Sequence, residues 1–137
     1  MDRNGFAAWL DRYVAAWRSY DAEAIGGLFS DDATYRYHPE DAPVRGRAAI
    51  VADWLKSPDT PGSWRCHYAP YAVEGERAVM HGWTEYVAAD GETVERRYYN
   101  VWLCAFDGNG QCTDFTEYYM APRRRAARGV VGEMPAA

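Results

Sequence analysis

Four long runs with strand character, divided by short turns, fill the second half of this chain and restrict what it can become. They cover residues 64–73, 77–88, 93–106 and 111–120. Between them stand Glu74-Gly75-Glu76, Ala89-Asp90-Gly91-Glu92 and Asp107-Gly108-Asn109-Gly110, glycine-bearing breaks of hairpin type. Strands joined this closely return antiparallel, because a parallel return needs a crossover of about a dozen residues or more. The second half is therefore read as one antiparallel meander. The last run alternates cleanly through Phe115, Glu117 and Tyr119, which puts a carboxylate between two aromatic rings on one side of a strand. A carboxylate on a half-buried aromatic face is costly unless it has a partner or a task, so Glu117 is the first candidate for chemistry.

The first half reads as helices around one strand. Phe6, Leu10, Tyr13, Val14 and Trp17 recur at three- and four-residue intervals, an amphipathic helix over about 5–20. Asp21 caps a short second helix running to about residue 29, with Glu23 in its first turn. Residues 33–38 read as a strand, closed by Pro39 and a loop through Pro43. Gly46 opens a third helix, Arg47–Lys56, with Ile50, Val51, Trp54 and Leu55 on one side, ended by Ser57-Pro58 and Pro61-Gly62. Helices followed by a meander predict an α+β domain with one curved sheet. No repeat or second domain stands out: residues 1–122 are read as a single domain and 123–137 as a flexible C-terminal tail.

Centring each hairpin on its turn predicts which side chains share a face. The last hairpin sets Asn100 opposite Glu117, Tyr98 opposite Tyr119 and Trp102 opposite Phe115. The preceding one sets His81 opposite Asn100, Trp83 opposite Tyr98 and Glu85 opposite Arg96. The first adds Ala69, His67 and Arg65 beside His81, Trp83 and Glu85. One face then carries charges at one end (Arg65, Glu85, Arg96), a polar band within aromatics, and an apolar row of Tyr71, Val79, Trp102 and Phe115. The opposite face carries Met80, Gly82, Thr84, Tyr99, Val101, Leu103, Thr116 and Tyr118, a plausible surface for a homodimer.

Composition narrows the functional classes. Aromatic residues make up 15% of the chain, with 11 Tyr and 6 Trp, which suits a roomy aromatic-lined interior or an extensive interface. The net charge of −5 gives no global attraction to nucleic acid or anionic lipid, and the cluster Arg123-Arg124-Arg125 with Arg128 is read as a solvated terminus. No stretch approaches the roughly 18 apolar residues of a membrane span. The three cysteines, Cys66, Cys104 and Cys112, lack metal spacing and fit a reducing cytoplasm; with no signal-peptide pattern at the start, a cytoplasmic location is expected. No metal site is expected, since His67, His81 and Glu117 have no recognised ligand spacing.

Three pieces carry a family resemblance: Leu28-Phe29-Ser30-Asp31-Asp32-Ala33-Thr34-Tyr35, then Arg45-Gly46-Arg47-Ala48-Ala49-Ile50, then Asp107-Gly108-Asn109-Gly110 leading into Phe115-Thr116-Glu117-Tyr118-Tyr119. In this order the chain resembles the nuclear transport factor 2-like superfamily and its SnoaL-like group over roughly residues 6–122. The resemblance implies a cone-shaped, cystatin-like α+β barrel in which a curved antiparallel sheet wraps the N-terminal helices around a pocket. It also implies a dimer. Members include steroid isomerases, scytalone dehydratase, polyketide cyclases, limonene epoxide hydrolase and non-catalytic binders. Glu117 falls where hydrolase and cyclase members carry an interior acid, and Glu85 where the hydrolase has its second. Tyr35 matches its water-positioning Tyr. Trp83 stands in place of the hydrolase's bridging Arg, and Tyr37 and His38 stand about where the steroid isomerase has its Asp, so neither of those mechanisms is matched. His67 and His81 echo the dehydratase's two histidines.

The expected protein is a cofactor-independent pocket protein for a small, largely apolar, oxygenated molecule. If catalytic, it uses Glu117 as the acid/base, assisted by Asn100 and His81, with Tyr37 or Tyr98 polarising the substrate oxygen. Isomerisation, dehydration, cyclisation and hydrolysis all remain open. The ligand-binding wall is expected from Tyr35, His67, Trp83, Glu85, Tyr98, Trp102, Phe115 and Tyr119, with Trp17 and Trp54 from the helices. The alternative is a non-catalytic ligand-binding or dimeric assembly domain of the same fold, its Glu117 and His81 fully engaged with neighbours.

Overall fold

The computed structural model describes residues 1–124; Arg125, Arg128 and the rest of the tail expected to be flexible lie outside the described residues. Helix α1 (Arg3–Ser19) starts where the Asp2 carboxylate accepts from the Gly5 backbone N–H at 2.7 Å, an N-cap. Its buried face is Phe6, Trp9, Leu10, Tyr13 and Ala16. Helix α2 (Ala22–Gly26) is capped by Asp21, whose side chain accepts from Ala24 N at 2.9 Å. Strand β1 (Phe29–Arg36) is longer than expected, and the loop after it contains a two-residue strand, β2 (Val44–Arg45). Gly46 precedes α3 (Arg47–Lys56) with φ 91°, a backbone conformation that favours glycine. The meander follows as β3 (Trp64–Glu74), β4 (Arg77–Val87), β5 (Val94–Phe106) and β6 (Cys112–Met120).

These strands form one curved, unclosed sheet in the order β2-β1-β6-β5-β4-β3. The α+β architecture is the expected one. One pairing is not antiparallel: β1 runs parallel to β6, reached by the whole length of chain between them. No helix of the described residues is long and apolar enough to cross a membrane.

The register explains which side chains face inward. In the first hairpin it is the expected one as far as Pro70, with His67 opposite Trp83 and Arg65 opposite Glu85; nearer the turn a bulge at Tyr71 pairs Val79 with Ala72, and Tyr71 is exposed instead of joining the apolar row. Between β4 and β5 it differs by one residue. Beside the turn, Val87 pairs with Val94, as a turn-centred register requires; one step further Tyr86 pairs with Arg96. Glu95 is the extra residue, a β-bulge. Beyond it His81 faces Val101, Gly82 faces Asn100, and Glu85 faces Arg97 instead of Arg96. Because side chains alternate, a slip of one residue turns every β4 side chain to the other side relative to β5. Met80, Gly82 and Thr84 therefore lie inward, not on the outer face. The last hairpin is displaced by two residues, pairing Trp102 with Glu117 and Asn100 with Tyr119. An even displacement keeps both strands' sides.

Helix α1 lies in the hollow of the sheet. Phe6 and Trp9 meet Phe106 edge-on at 5.6 and 5.2 Å, and Trp9 meets Phe29 at 6.2 Å. Trp9 also donates its indole N–H to Leu28 O at 3.0 Å. Each such ring, fully buried, contributes roughly 1.5–3 kcal/mol. This closed end is the solid core; the other end of the hollow is open.

Candidate active site

At that end lies a cavity of about 890 Å³, within the range of small-molecule sites. Glu117 projects into it from β6. Its Oε2 accepts the Asn100 amide N–H at 2.6 Å and the Trp102 indole N–H at 2.9 Å. Oε1 takes no protein partner among the described residues, and Glu117 is part of the cavity lining. Burial pushes the carboxyl's pKa above its ordinary value, and the bonds from Trp102 and Asn100 only partly offset that. A half-buried carboxyl of raised pKa with one oxygen fixed and one free is the equipment of an acid/base group.

Behind Asn100 runs a chain of polar groups whose directions follow from counting protons. Thr84 Oγ1 donates to Asn100 Oδ1 at 2.8 Å. Its single proton is then spent, so the Tyr68 hydroxyl, 2.5 Å away, donates to Thr84. Asn100 is thereby held with its oxygen toward Thr84 and its N–H toward Glu117. Gly82 makes this possible: a Cβ there would lie 1.9 Å from His67 O and 2.9 Å from the Tyr68 ring. A bare backbone at Gly82 lets β3 approach and Tyr68 lie over the sheet.

Across the hollow, the Tyr13 and Tyr35 hydroxyls are 2.6 Å apart and both buried. Two phenols have two protons, and one hydrogen bond uses one. The pair thus keeps one O–H unused by its partner, polarised by its neighbour, and both residues line the cavity. Burial raises both phenols' pKa, so they stay protonated donors; nearby phenols add to the rise, as does the charge of Glu117. Tyr35 stacks on Phe115 at 4.4 Å, and Tyr13 packs on Trp102 at 4.5 Å. Tyr37 is tied up differently: it donates to Asp53 Oδ2 at 2.7 Å. Trp54 sits beside Tyr13 at 4.9 Å, and its Nε1 is the one buried side-chain polar atom without a partner among the described residues.

The mouth is set by the end of α1 and the loop after α3. Tyr20 ends α1 with φ 50°, unusual for a bulky residue. Its hydroxyl accepts from Asp59 N at 2.8 Å and donates to Asp59 Oδ2 at 3.3 Å, while Trp17 Nε1 donates to the same oxygen at 2.9 Å. Burial, then the charge of Asp59, pushes the Tyr86 phenol up to about 12. Arg96 lies over the Tyr86 ring at 4.3 Å.

The site predicted from sequence is thus partly assembled here. Glu117, Asn100, Tyr35, Tyr37, Tyr98, Trp102, Tyr119, Trp17 and Trp54 line the cavity. Phe115 is fully buried beneath it, as a platform under Tyr35 and Tyr13. Four predicted residues are elsewhere. His81, Trp83, Glu85 and His67 lie on the outer side of the sheet, because the bulge at Glu95 turns β4, and β3 with it, over. There Glu85 accepts from Arg65 Nε at 2.7 Å and from Arg97, and those bonds hold its carboxyl below its ordinary pKa. His81 meets exposed Tyr71 at 5.2 Å and does not assist Glu117.

Sequence reasoning missed Tyr13, Tyr68, Thr84, Asp53 and Asp59. The turn-centred register of β4 puts Thr84 on the outer face and gives Tyr68 no role. Tyr13 reads as one apolar position of a helix stripe. Nothing in the order of residues marks Asp53 or Asp59.

Residues 10–114 match the SnoaL-like domain family. The chain belongs to it. Among solved structures, this SnoaL-like protein is similar to an NTF-2 like protein of unknown function from Burkholderia xenovorans LB400, with TM-score 0.68 and 20% identity over 96% of this chain and 93% of that one. It is also similar to a structure from Kribbella flavida DSM 17836 described as a "putative ketosteroid isomerase", with TM-score 0.66 and 15% identity over 95% and 90%. A protein from Sphaerobacter thermophilus matches with TM-score 0.63 and 18% identity over 83% and 94%. Identities this low speak for the fold alone. No curated protein matches the chain.

Proposed function

We propose that this SnoaL-like protein is a cofactor-independent isomerase that moves a proton within a small, largely apolar carbonyl compound. The observation carrying this reading is Glu117: a half-buried carboxyl of raised pKa in the lining of an aromatic cavity, one oxygen pinned by Asn100 and Trp102 and the other without a protein partner among the described residues. Its Oε1 takes a proton from the carbon next to the substrate carbonyl. The electron pair moves onto the carbonyl oxygen, and the enolate receives the spare O–H of the Tyr13–Tyr35 pair. Glu117, now a neutral acid, returns the proton to the far carbon of the shifted double bond. The base here comes from β6, since no carboxylate occupies Tyr37 or His38. Tyr37, which donates to Asp53, is given a wall role and not the oxygen-polarising one.

The test is isomerisation of a β,γ-unsaturated cyclohexenone to its conjugated form, with deuterium incorporation followed by NMR in heavy water. The protein should accelerate both, and Glu117→Gln should remove about 100- to 10,000-fold of the rate. Unchanged turnover in that variant would end the proposal. The same reading assigns residues 1–122 to one domain and a cytoplasmic location to the chain, whose three cysteines are all free. It also assigns a homodimer through the outer sheet face, where Tyr99, Val101, Leu103, Tyr118 and Met120 are exposed. Val101→Glu should shift sedimentation to the monomer; an unshifted boundary removes that face from the assembly.

A further inference from the structure

The cavity is not electrically neutral. Five carboxylates line it, Glu40, Asp41, Asp53, Asp59 and Glu117, against the two cations Lys56 and Arg96. Lys56 is paired with Asp53 at 3.5 Å, and Arg96 is stacked on Tyr86. Glu40, Asp41, Asp59 and Glu117 have no cationic partner within ion-pair distance among the described residues; Glu40 and Asp41 are exposed, whereas Asp59 is half-buried and receives only the neutral donors Trp17 and Tyr20 on Oδ2. A carboxylate at that depth is stabilised best by a counter-charge. Trp17 and Tyr20 turn their N–H and O–H edges to Asp59, the Trp17 ring is stacked on Trp64 at 3.5 Å and Arg96 covers one face of Tyr86, so the attraction for a cation comes from the Asp59 charge and the surplus of acids in the lining.

We infer that the ligand is an organic ammonium compound, an amino ketone in outline, with its cationic head against Asp59 at the mouth and its oxygen end directed inward toward the Tyr13–Tyr35 pair. This rests on the proposed isomerase reading for the carbonyl end and adds the charge of the other end. An anionic head would find Arg96 and Lys56, the latter already paired with Asp53, in a lining that carries five carboxylates. A neutral ligand would leave Asp59 without a counter-charge. Asp59 thereby selects among carbonyl compounds that Glu117 alone would not distinguish.

Calorimetric titration of the full chain with three probes sharing one apolar body tests the inference: phenylpropyl-trimethylammonium, phenylpropanol and phenylpropanoate. The ammonium should bind about tenfold or more tighter than the alcohol, and the carboxylate weakest. Asp59→Asn retains an oxygen for Trp17 and Tyr20 but lacks the charge. It should weaken the ammonium about tenfold while the alcohol moves by less than about twofold. The ranking on the unaltered protein stands by itself should that variant misfold. Carboxylate binding as tight as ammonium, or ammonium affinity indifferent to Asp59→Asn, overturns the inference. Alcohol binding equal to ammonium sinks the cation while leaving the cavity reading intact; no binding by any probe takes both away.

Discussion

Replacing Asn100 with Leu separates the electrostatic part of the Glu117 environment from its packing. Leu has a similar size, so the change removes one hydrogen bond to Glu117 Oε2, made at 2.6 Å, and one acceptor from Thr84. Thr84 can recover, because it lies 2.5 Å from the Tyr68 hydroxyl and either oxygen can donate. Glu117 cannot: only Trp102, at 2.9 Å, remains. When the carboxyl is protonated, the lost bond is worth about 0.5–1.5 kcal/mol; when it is ionised, about 1.5–3 kcal/mol. The penalty should therefore grow by about 1 kcal/mol between mild acid and about pH 8, and any packing change cancels in that difference. The sign follows from linkage. Glu117 has a raised pKa in the folded protein, so its contribution is present below its unfolded pKa and lost as pH rises through the folded one. Losing Asn100 raises the folded pKa further and makes that loss steeper. Urea unfolding of both proteins at about pH 4 and about pH 8 measures it, as does a melting-temperature gap that widens by roughly 3–5 °C. A penalty identical at the two pH values would refute the claim that Asn100 holds an ionisable, water-poor carboxylate.

Three further outcomes are expected. Glu117→Gln should be more stable than the parent at about pH 8 and indistinguishable from it in acid, because Gln keeps an oxygen for Asn100 and Trp102 without a buried charge; parallel stability curves across pH would contradict the assigned burial. Gly82→Ala places a Cβ 1.9 Å from His67 O, so β3 and β4 must part, and a loss of about 2 kcal/mol or more is expected in chemical denaturation. Glu85→Gln, on the outer side, should leave enone isomerisation within about twofold of the parent, and a large drop in rate would put Glu85 back in the site.

The residue order alone determined the element sequence, the turns and the side on which Glu117 sits. Those are local properties: caps such as Asp21, turn glycines, and a period of two along β6 that places Phe115, Glu117 and Tyr119 together. The β5–β6 pairing was displaced from the turn-centred reading, but by two residues, which leaves sides unchanged. Only the tertiary structure decided the rest. One unpaired residue, Glu95, turned β4 and β3 over, exchanging His81, Trp83 and His67 for Thr84 and Tyr68 inside. No pattern in the Asp90-Gly91 turn announces that bulge, because it is settled by how the long strands curl over α1. The Tyr13–Tyr35 contact and the Asp59 position join residues 22 and more apart in the chain, through the packing of a helix and a loop on the sheet. Periodicity reports which neighbours share a side of one element; which element that side meets is a property of the assembled core.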